Sequence, residues 1–404
     1  MGRVEGDPGR QGESVTAMTL LTAEQSAIRQ AAKDFVAKTI IPRAAEFDQS
    51  GDFHAYLLDA ARASRIFAMA VPKEYGGLGY GPLTQAVVLE EWGYGCAAMG
   101  TTLSASILSM ESVLIAGNDD QKRRFFAPML NAGIGAFALT EPNAGSDASA
   151  GEATAVKTAD GYVLNGSKCW ITNGGEAAMY IVFAATDPAQ GVKGISAFIV
   201  EHGRKGLVMG DDEDKLGLRS SNTAYFHMQD LLIPAANLLG AEGDGMKIAM
   251  QTLDVARPSI GALAVGLAQR CLDECVKHLH ERFPAKSYPG QTLQFKLADM
   301  QIQIEAAREA QHHTMALREA GLPFSTQSAI AKTLCTDTAM AVTTQAMRLL
   351  GMHAYTGEFG KFMRDAKVMQ IYEGTNQIQR LVIARAVLAP PRVAAVPAAK
   401  AGAK

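Results

Sequence analysis

The hydrophobic period of this chain changes twice, and that double switch limits the possible folds more than any other feature. Up to Ala116 the apolar residues recur at helical spacing. From about Gly135 to Leu239 short alternating segments replace them, and from Gly245 the helical spacing returns and persists. A period of about 3.6 and a period of about 2 cannot belong to one kind of element. The expected fold is therefore α+β and multidomain: an N-terminal helical domain, a middle β-barrel or sandwich, and a C-terminal helical bundle. The expected boundaries are 1–17 for a disordered leader, 18–134, 135–240 and 241–389 for the three domains, and 390–404 for a disordered Ala/Pro/Lys-rich tail. With 404 residues, 48% of them hydrophobic, the chain has enough apolar material for two or three cores.

Local signals fill in the elements. Thr22 and Gln25 form a capping-box pattern. The helix they open runs to about Phe47, with Pro42 as the point where it kinks or breaks. A second helix is expected from Tyr56 to Phe67, and one long helix from Thr84 to Ala116. In its middle stand Gly100, Thr101, Ser104 and Ala105, which either pack tightly or leave room for a ligand. The glycines of Pro72–Gly79 have the wrong spacing for a dinucleotide loop. Asp160-Gly161 marks a hairpin, and strands are expected at Met179–Ala185, Ile195–Val200 and Thr223–Met228. Further helices are expected at Met246–Arg282, with Pro258 inside, at Thr292–Ala320, at Thr326–Leu350, around Asp365–Met369, and at Thr375–Leu388.

Composition excludes several functions. A net charge of −3 provides no basic face for nucleic acid. No apolar run reads as a membrane span, and the first residues carry no signal-peptide core, so a cytoplasmic protein is expected. Five cysteines without framework spacing read as reduced thiols. Cys271, Cys275 and His278 share one helical face but lack a fourth ligand, so they read as core residues and no metal is expected.

Four stretches carry chemistry. In Ile371-Tyr372-Glu373-Gly374-Thr375-Asn376-Gln377 a carboxylate sits between an apolar pair and a glycine. Apolar neighbours disfavour its charged form, so its pKa should move toward neutrality, as suits a general base. Gly374 permits close approach of a ligand to the backbone. The alternative is a helix-start acid favoured by the macrodipole. Ala138–Asp147 reads as a strand ending in a Pro/Asn/Gly turn; either it is a plain turn, or its N–H groups and the hydroxyls of Thr140 and Ser146 bind a ligand. In Lys168–Gly174, Trp170 either fills a core or covers a flat ring whose nitrogen the Thr172 hydroxyl reaches. Asp254 and Arg257, three apart, are otherwise a surface helix pair.

In this order, and over about Met18 to Leu388, these stretches resemble the acyl-CoA dehydrogenase family, as does Met363-Arg364-Asp365-Ala366-Lys367 leading into the Glu373 stretch. The resemblance implies a four-helix bundle at the C-terminus, bound FAD, an acyl-CoA substrate and α,β-dehydrogenation to the trans-2-enoyl-CoA. It implies that Glu373 takes the α proton while the β hydride passes to flavin N5, and that electron-transfer flavoprotein reoxidises the cofactor. Family branches with the base on the helix of Asp254 and Arg257 place it where this chain has Ala256, which leaves the task to Glu373.

For FAD the resemblance implies contacts from Leu139, Thr140, Ser146, Trp170, Ile171, Thr172, Thr375 and Gln377. For the acyl-CoA it implies Ser146, Gly100, Ser104, Asp254, Arg257, Gly374 and Arg385, with the small Gly100 and Ser104 leaving room for a medium or branched chain. Two family segments depart here. The arginine that meets the FAD pyrophosphate maps near Arg282, with Gln291 closing a segment about two residues short. The glutamine and paired glycines of a second segment are replaced by Arg348-Leu349-Leu350-Gly351, so Arg348 and Gly351 are the expected contacts. A homotetramer or dimer is implied. The alternatives are an acyl-CoA oxidase or a dehydrogenase of a carrier-protein-bound or specialised thioester.

Overall fold

The computed structural model describes residues 21–51, 59, 61, 63–131, 133–283 and 290–389. Its first helix, α1 (Ala23–Phe35), starts on Thr22, and the expected capping box with Gln25 is formed. Ahead of Pro42 the helix widens to a π turn at Val36–Ile40, then tightens to a 3-10 turn at Ile41–Arg43 before α2 (Ala44–Ser50). Most of the helix expected at Tyr56–Phe67 lies outside the described residues; at its end Ile66–Ala68 is a 3-10 turn.

The helix expected over Thr84–Ala116 is two helices, α3 (Pro82–Gly95) and α4 (Ala97–Ala116). They part at Cys96, which is extended (φ −159°, ψ 113°). Gly95 passes so close to the π turn that a Cβ would lie 2.3 Å from Val36 Cγ1. By length and composition α4 could cross a membrane, contrary to the sequence reading, but 89% of its apolar window is buried within the protein. It is a core helix. A further helix, α5 (Asp119–Leu130), has a full capping box of Asn118 and Gln121.

The middle unit is one eight-stranded hydrogen-bonded sheet: β1 (Gly135–Ala138), β2 (Thr154–Thr158), β3 (Gly161–Thr172), β4 (Met179–Ala185), β5 (Ile195–Glu201), β6 (Leu207–Asp212), β7 (Thr223–Ile233) and β8 (Leu238–Leu239). Its strand order is β6-β7-β3-β2-β4-β5-β8, with β1 added parallel to β4. The Asp160-Gly161 hairpin joins β2 to β3, pairing Thr158 with Gly161. Alternation splits β4 between two cores. Met179, Ile181 and Phe183 enter the core shared with the helices, while Tyr180, Val182 and Ala184 enter the core inside the sheet. Burial on both faces explains why this strand reads as a continuous apolar run.

The C-terminal unit contains α6 (Gly245–Arg282), α7 (Gln291–Glu319), α8 (Ser325–Leu350), α9 (Met352–Thr356), α10 (Phe359–Met369) and α11 (Asn376–Leu388). Helix α8 packs against α6, α7 and α11, forming the expected bundle of four. Helix α6 also packs along α3, and glycines set that approach. A Cβ on Gly266 would lie 1.9 Å from the Glu90 carbonyl oxygen, and one on Gly93 2.3 Å from that of Leu263.

Candidate active site

Glu373 stands in the turn between α10 and α11, at φ +57°, with Gly374 following at φ +86°. A left-handed conformation at a non-glycine residue costs on the order of 1 kcal/mol and persists only where its surroundings fix it. Here the neighbouring carbonyls are held. Lys332 Nζ on α8 donates to the Gly374 carbonyl at 2.9 Å and to Asn376 Oδ1 at 2.8 Å. Gln379 Nε2 donates to the carbonyls of Glu373 (3.1 Å) and Gly374 (2.9 Å). Asn376 Nδ2 donates in turn to Thr336 Oγ1 and Asp337 Oδ1. The φ of +86° favours glycine at position 374, and a Cβ there would lie 2.7 Å from Gln379 Nε2, displacing the amide that holds the turn. Thr375 caps α11, its Oγ1 accepting from the Ile378 N–H at 3.2 Å.

The Glu373 carboxylate is poorly served. Its Oε2 is buried without a hydrogen-bond partner among the described residues, and so is Arg257 Nε. Burial raises the Glu373 pKa to about 7, against the opposing pull of Arg257 and Lys332. Burial likewise lowers Lys332 to about 7, against the pull of Glu373 and Asp337. Arg257 is itself buried and pairs through Nη1 with Asp254, so this pair lies partly inside the protein and is not the alternative surface pair. Asp254 is fixed further by its carbonyl, which accepts from Ser328 Oγ at 2.6 Å. Ala256, at the alternative base position, is buried and cannot ionise.

The two β-unit stretches are clamped together. Buried Lys168 donates to Glu141 Oε1 at 2.6 Å and to the Leu139 carbonyl at 3.1 Å. The Cys169 N–H donates to the Thr140 carbonyl at 3.1 Å. Trp170 follows at φ +58°, where the β3–β7 register shifts, and is 60% exposed. It is therefore not the core aromatic of the alternative reading. The hydroxyls of Thr140 and Thr172 have no protein partner among the described residues. Ile171 is buried in the sheet core and Ser146 is exposed.

Asn173 (φ +65°) ties this region to α4 and β1, donating to the carbonyls of Thr102 (3.1 Å) and Gly135 (3.0 Å). Helix α4 reaches the Glu373 turn through Thr101 Oγ1, 3.3 Å from the Tyr372 hydroxyl. The stretch before the turn is anchored to the loop after β6. Asp365 Oδ1 accepts from the Leu218 N–H at 2.7 Å, and Arg364 donates to the Leu216 carbonyl at 2.9 Å. One network thus joins the four stretches.

Other expected residues sit apart. Arg282, Gln291, Arg348, Gly351, Gln377 and Arg385 are exposed, and no side-chain hydrogen bond joins them to the Glu373 turn among the described residues. Arg348 lines an open cleft of about 460 Å³ between α7 and α8, with Lys296, Asp299 and Gln370. The segment between Arg282 and Gln291 falls mostly outside the described residues. Ser104 is buried on α4, and the space beside Gly100 is filled: a Cβ there would lie 2.4 Å from Leu263 Cδ2. Cys271 and Cys275 are buried thiols, and His278 packs against His353 with ring centres 4.6 Å apart.

The arrangement fits a flat, conjugated cofactor. It offers an exposed indole on a constrained backbone, with unpartnered hydroxyls in the flanking residues. Comparison with known proteins agrees. Models of the acyl-CoA dehydrogenase N-terminal, middle and C-terminal domains match residues 22–133, 136–231 and 243–388. The rat mitochondrial short-chain specific acyl-CoA dehydrogenase is 42% identical over 363 residues, 88% of each chain. The solved butyryl-CoA dehydrogenase of Megasphaera elsdenii superposes with a TM-score of 0.89 at 40% identity, covering 91% of this chain and 99% of that one. A chain in a solved structure described as the electron transferring flavoprotein of Acidaminococcus fermentans also gives 0.89, at 42% identity, covering 92% and 99%. The chain belongs to the acyl-CoA dehydrogenase family and is an FAD-dependent oxidoreductase of acyl-CoA thioesters.

Proposed function

We propose that the protein desaturates a short-chain acyl-CoA, with Glu373 as the general base and electron-transfer flavoprotein as the physiological acceptor. The observation that carries the assignment is the buried, unpartnered Glu373 Oε2 on a carboxyl whose pKa lies at about 7. Such a group is ionised near neutrality yet still basic enough to remove a weakly acidic proton. Glu373 takes the proton α to the thioester carbonyl. Its own backbone N–H donates to no described residue, which leaves it free for the oxygen on which charge develops. One such donor is worth about 3 kcal/mol in the transition state. The charge of Arg257 favours the ionised carboxylate. FAD, when bound, supplies the acceptor for the β hydride.

For that cofactor the β unit offers Leu139, Thr140, Trp170, Ile171 and Thr172, with Ser146 at its edge. Thr375, which caps α11, and Gln377 in its first turn suit the same cofactor. The exposed Arg282, Gln291, Arg348 and Gly351 suit a part of FAD shared with a neighbouring subunit, and Gly374, Asp254 and Arg385 suit the acyl-CoA. Leu263 fills the space beside Gly100, and the relatives above are named for short or butyryl substrates. Both favour a short chain over the medium or branched one. Leu381, Val387 and Leu388 on α11, and Met352 and Tyr355 on α9, are exposed apolar side chains suited to burial in a homotetramer. The expected location is the cytoplasm.

Anaerobic mixing with a panel of acyl-CoAs tests this reading. Flavin bleaching should be fastest with butyryl-CoA in the wild type. Glu373→Gln should keep its flavin and bind substrate, yet bleach slower by roughly 10²–10⁴-fold. Wild-type bleaching rates in that variant would remove Glu373 from the role.

A further inference from the structure

Lys332 is fully buried at 0% exposure, yet among the described residues it has no carboxylate within ion-pairing distance. The other two buried lysines among the described residues do: Lys168 meets Glu141 and Lys361 meets Asp365. Burying an ammonium without a carboxylate partner is costly, and an uncharged side chain would fill the space on α8 more cheaply. What Lys332 contacts instead is the backbone of the turn that carries the base, at the Gly374 carbonyl, and the first residue of the following helix, at Asn376 Oδ1. These contacts fall at the end of the left-handed pair Glu373–Gly374 and two residues beyond it.

We propose that Lys332 is a positioning residue for the reaction. It pins the turn in the strained conformation that presents the Glu373 carboxyl, and it faces that carboxyl with a positive charge. The inference rests on Glu373 being the base. The charged groups around the site come from three elements. Arg257 on α6 and Lys332 on α8 both favour the ionised carboxylate of Glu373 in the turn. Glu373 and Asp337 favour the ammonium of Lys332, which Arg257 opposes. Lys332 and Glu373 thus support each other's charge in a site that burial makes hostile to both. With carbonyl and amide oxygens as its hydrogen-bond partners, Lys332 has no carboxylate ion pair among the described residues, and its charge acts on the Glu373 carboxyl.

The test compares Lys332→Met, which removes both donor and charge, with Lys332→Gln, which keeps a donor and removes the charge. Both are measured as FAD-loaded enzyme, with Glu373→Gln alongside. Flavin absorbance and thermal melting check the fold. The expected result is retained flavin, KM within about threefold of wild type, and kcat reduced roughly 10–100-fold in Lys332→Met and less in Lys332→Gln. In both variants the acid limb of kcat/KM moves up by about one pH unit or more, because a cation that favours the carboxylate is gone. A limb at its wild-type position in a folded, flavin-loaded variant overturns the proposal, whether or not kcat falls. So does lost flavin or raised KM with an unmoved limb, which marks a role in packing alone. If Lys332→Met does not fold, Lys332→Gln decides by the same limb. Turnover surviving in Glu373→Gln refutes the base assignment itself, whereas an inactive Glu373→Gln beside unaltered Lys332 variants refutes only the positioning role.

Discussion

Glu373 is held near its point of half-ionisation by a conflict in which burial outweighs two nearby cations. The sign of the resulting pH dependence is fixed. Its folded pKa is raised from the ordinary carboxylate range to about 7, so the proton-accepting form is scarce below that value and dominant above it. The kcat/KM of the free enzyme should therefore rise with pH through about 7, and a profile already flat from pH 5 upward would contradict the burial that causes the shift. Much of this was legible in the sequence, because Ile371, Tyr372 and Gly374 sit beside the acid and announce an apolar niche with a special backbone. The groups that oppose burial were only half legible. Arg257 belongs to a recognisable stretch. Lys332 lies 42 residues from the carbonyl it holds, in a helical pattern where a lysine reads as a solvated charge. Likewise, Asn173 and the Lys168–Glu141 pair fell within quoted stretches, but only contacts between separate elements reveal their work.

Helix packing shows where periodicity stops being informative. Spacing of apolar residues located α6, α7, α8 and α11 to within a residue or two, even with Pro258 inside α6. It merged α3 with α4, whose break at Cys96 falls beside Gly95, where the chain passes close to the π turn, a contact between segments far apart in sequence. The overlooked α5 did have one, the Asn118/Gln121 capping box, masked by a charged first turn. Glycine within a helix ordinarily reads as a weakness. At Gly93 and Gly266 it is what lets α3 and α6 come nearly backbone to backbone. Gly266→Ala should therefore cost about 1–3 kcal/mol, by overpacking against the Glu90 carbonyl, despite alanine's better helix propensity. Chemical denaturation would show it as a lowered midpoint; a midpoint equal to or above wild type would mean the helices separate at no cost.

The three units suggested by the change of period do appear as three units, and the site lies where they meet: the β3 stretch, α4, α6, α8 and the turn after α10. No single unit contains enough of it to do chemistry. The sequence could place the units in order but not the seam between them, since that depends on which face of each strand looks at a helix. A segment comprising only residues 135–240 should accordingly fail to form a stable sheet. Expressed alone, it should lack cooperative melting, while the whole chain melts in one transition; a sharply melting fragment would refute this.

The double allegiance of β4 carries that point further. Because successive side chains of one strand serve two neighbours, the boundaries visible in the sequence are not joints in the molecule. Transplanting the middle piece between relatives would be like moving a wall that two rooms share. A productive chimera must bring matching helical surfaces with it, so change in this enzyme should come from substitution at the lining and seldom from exchange of modules.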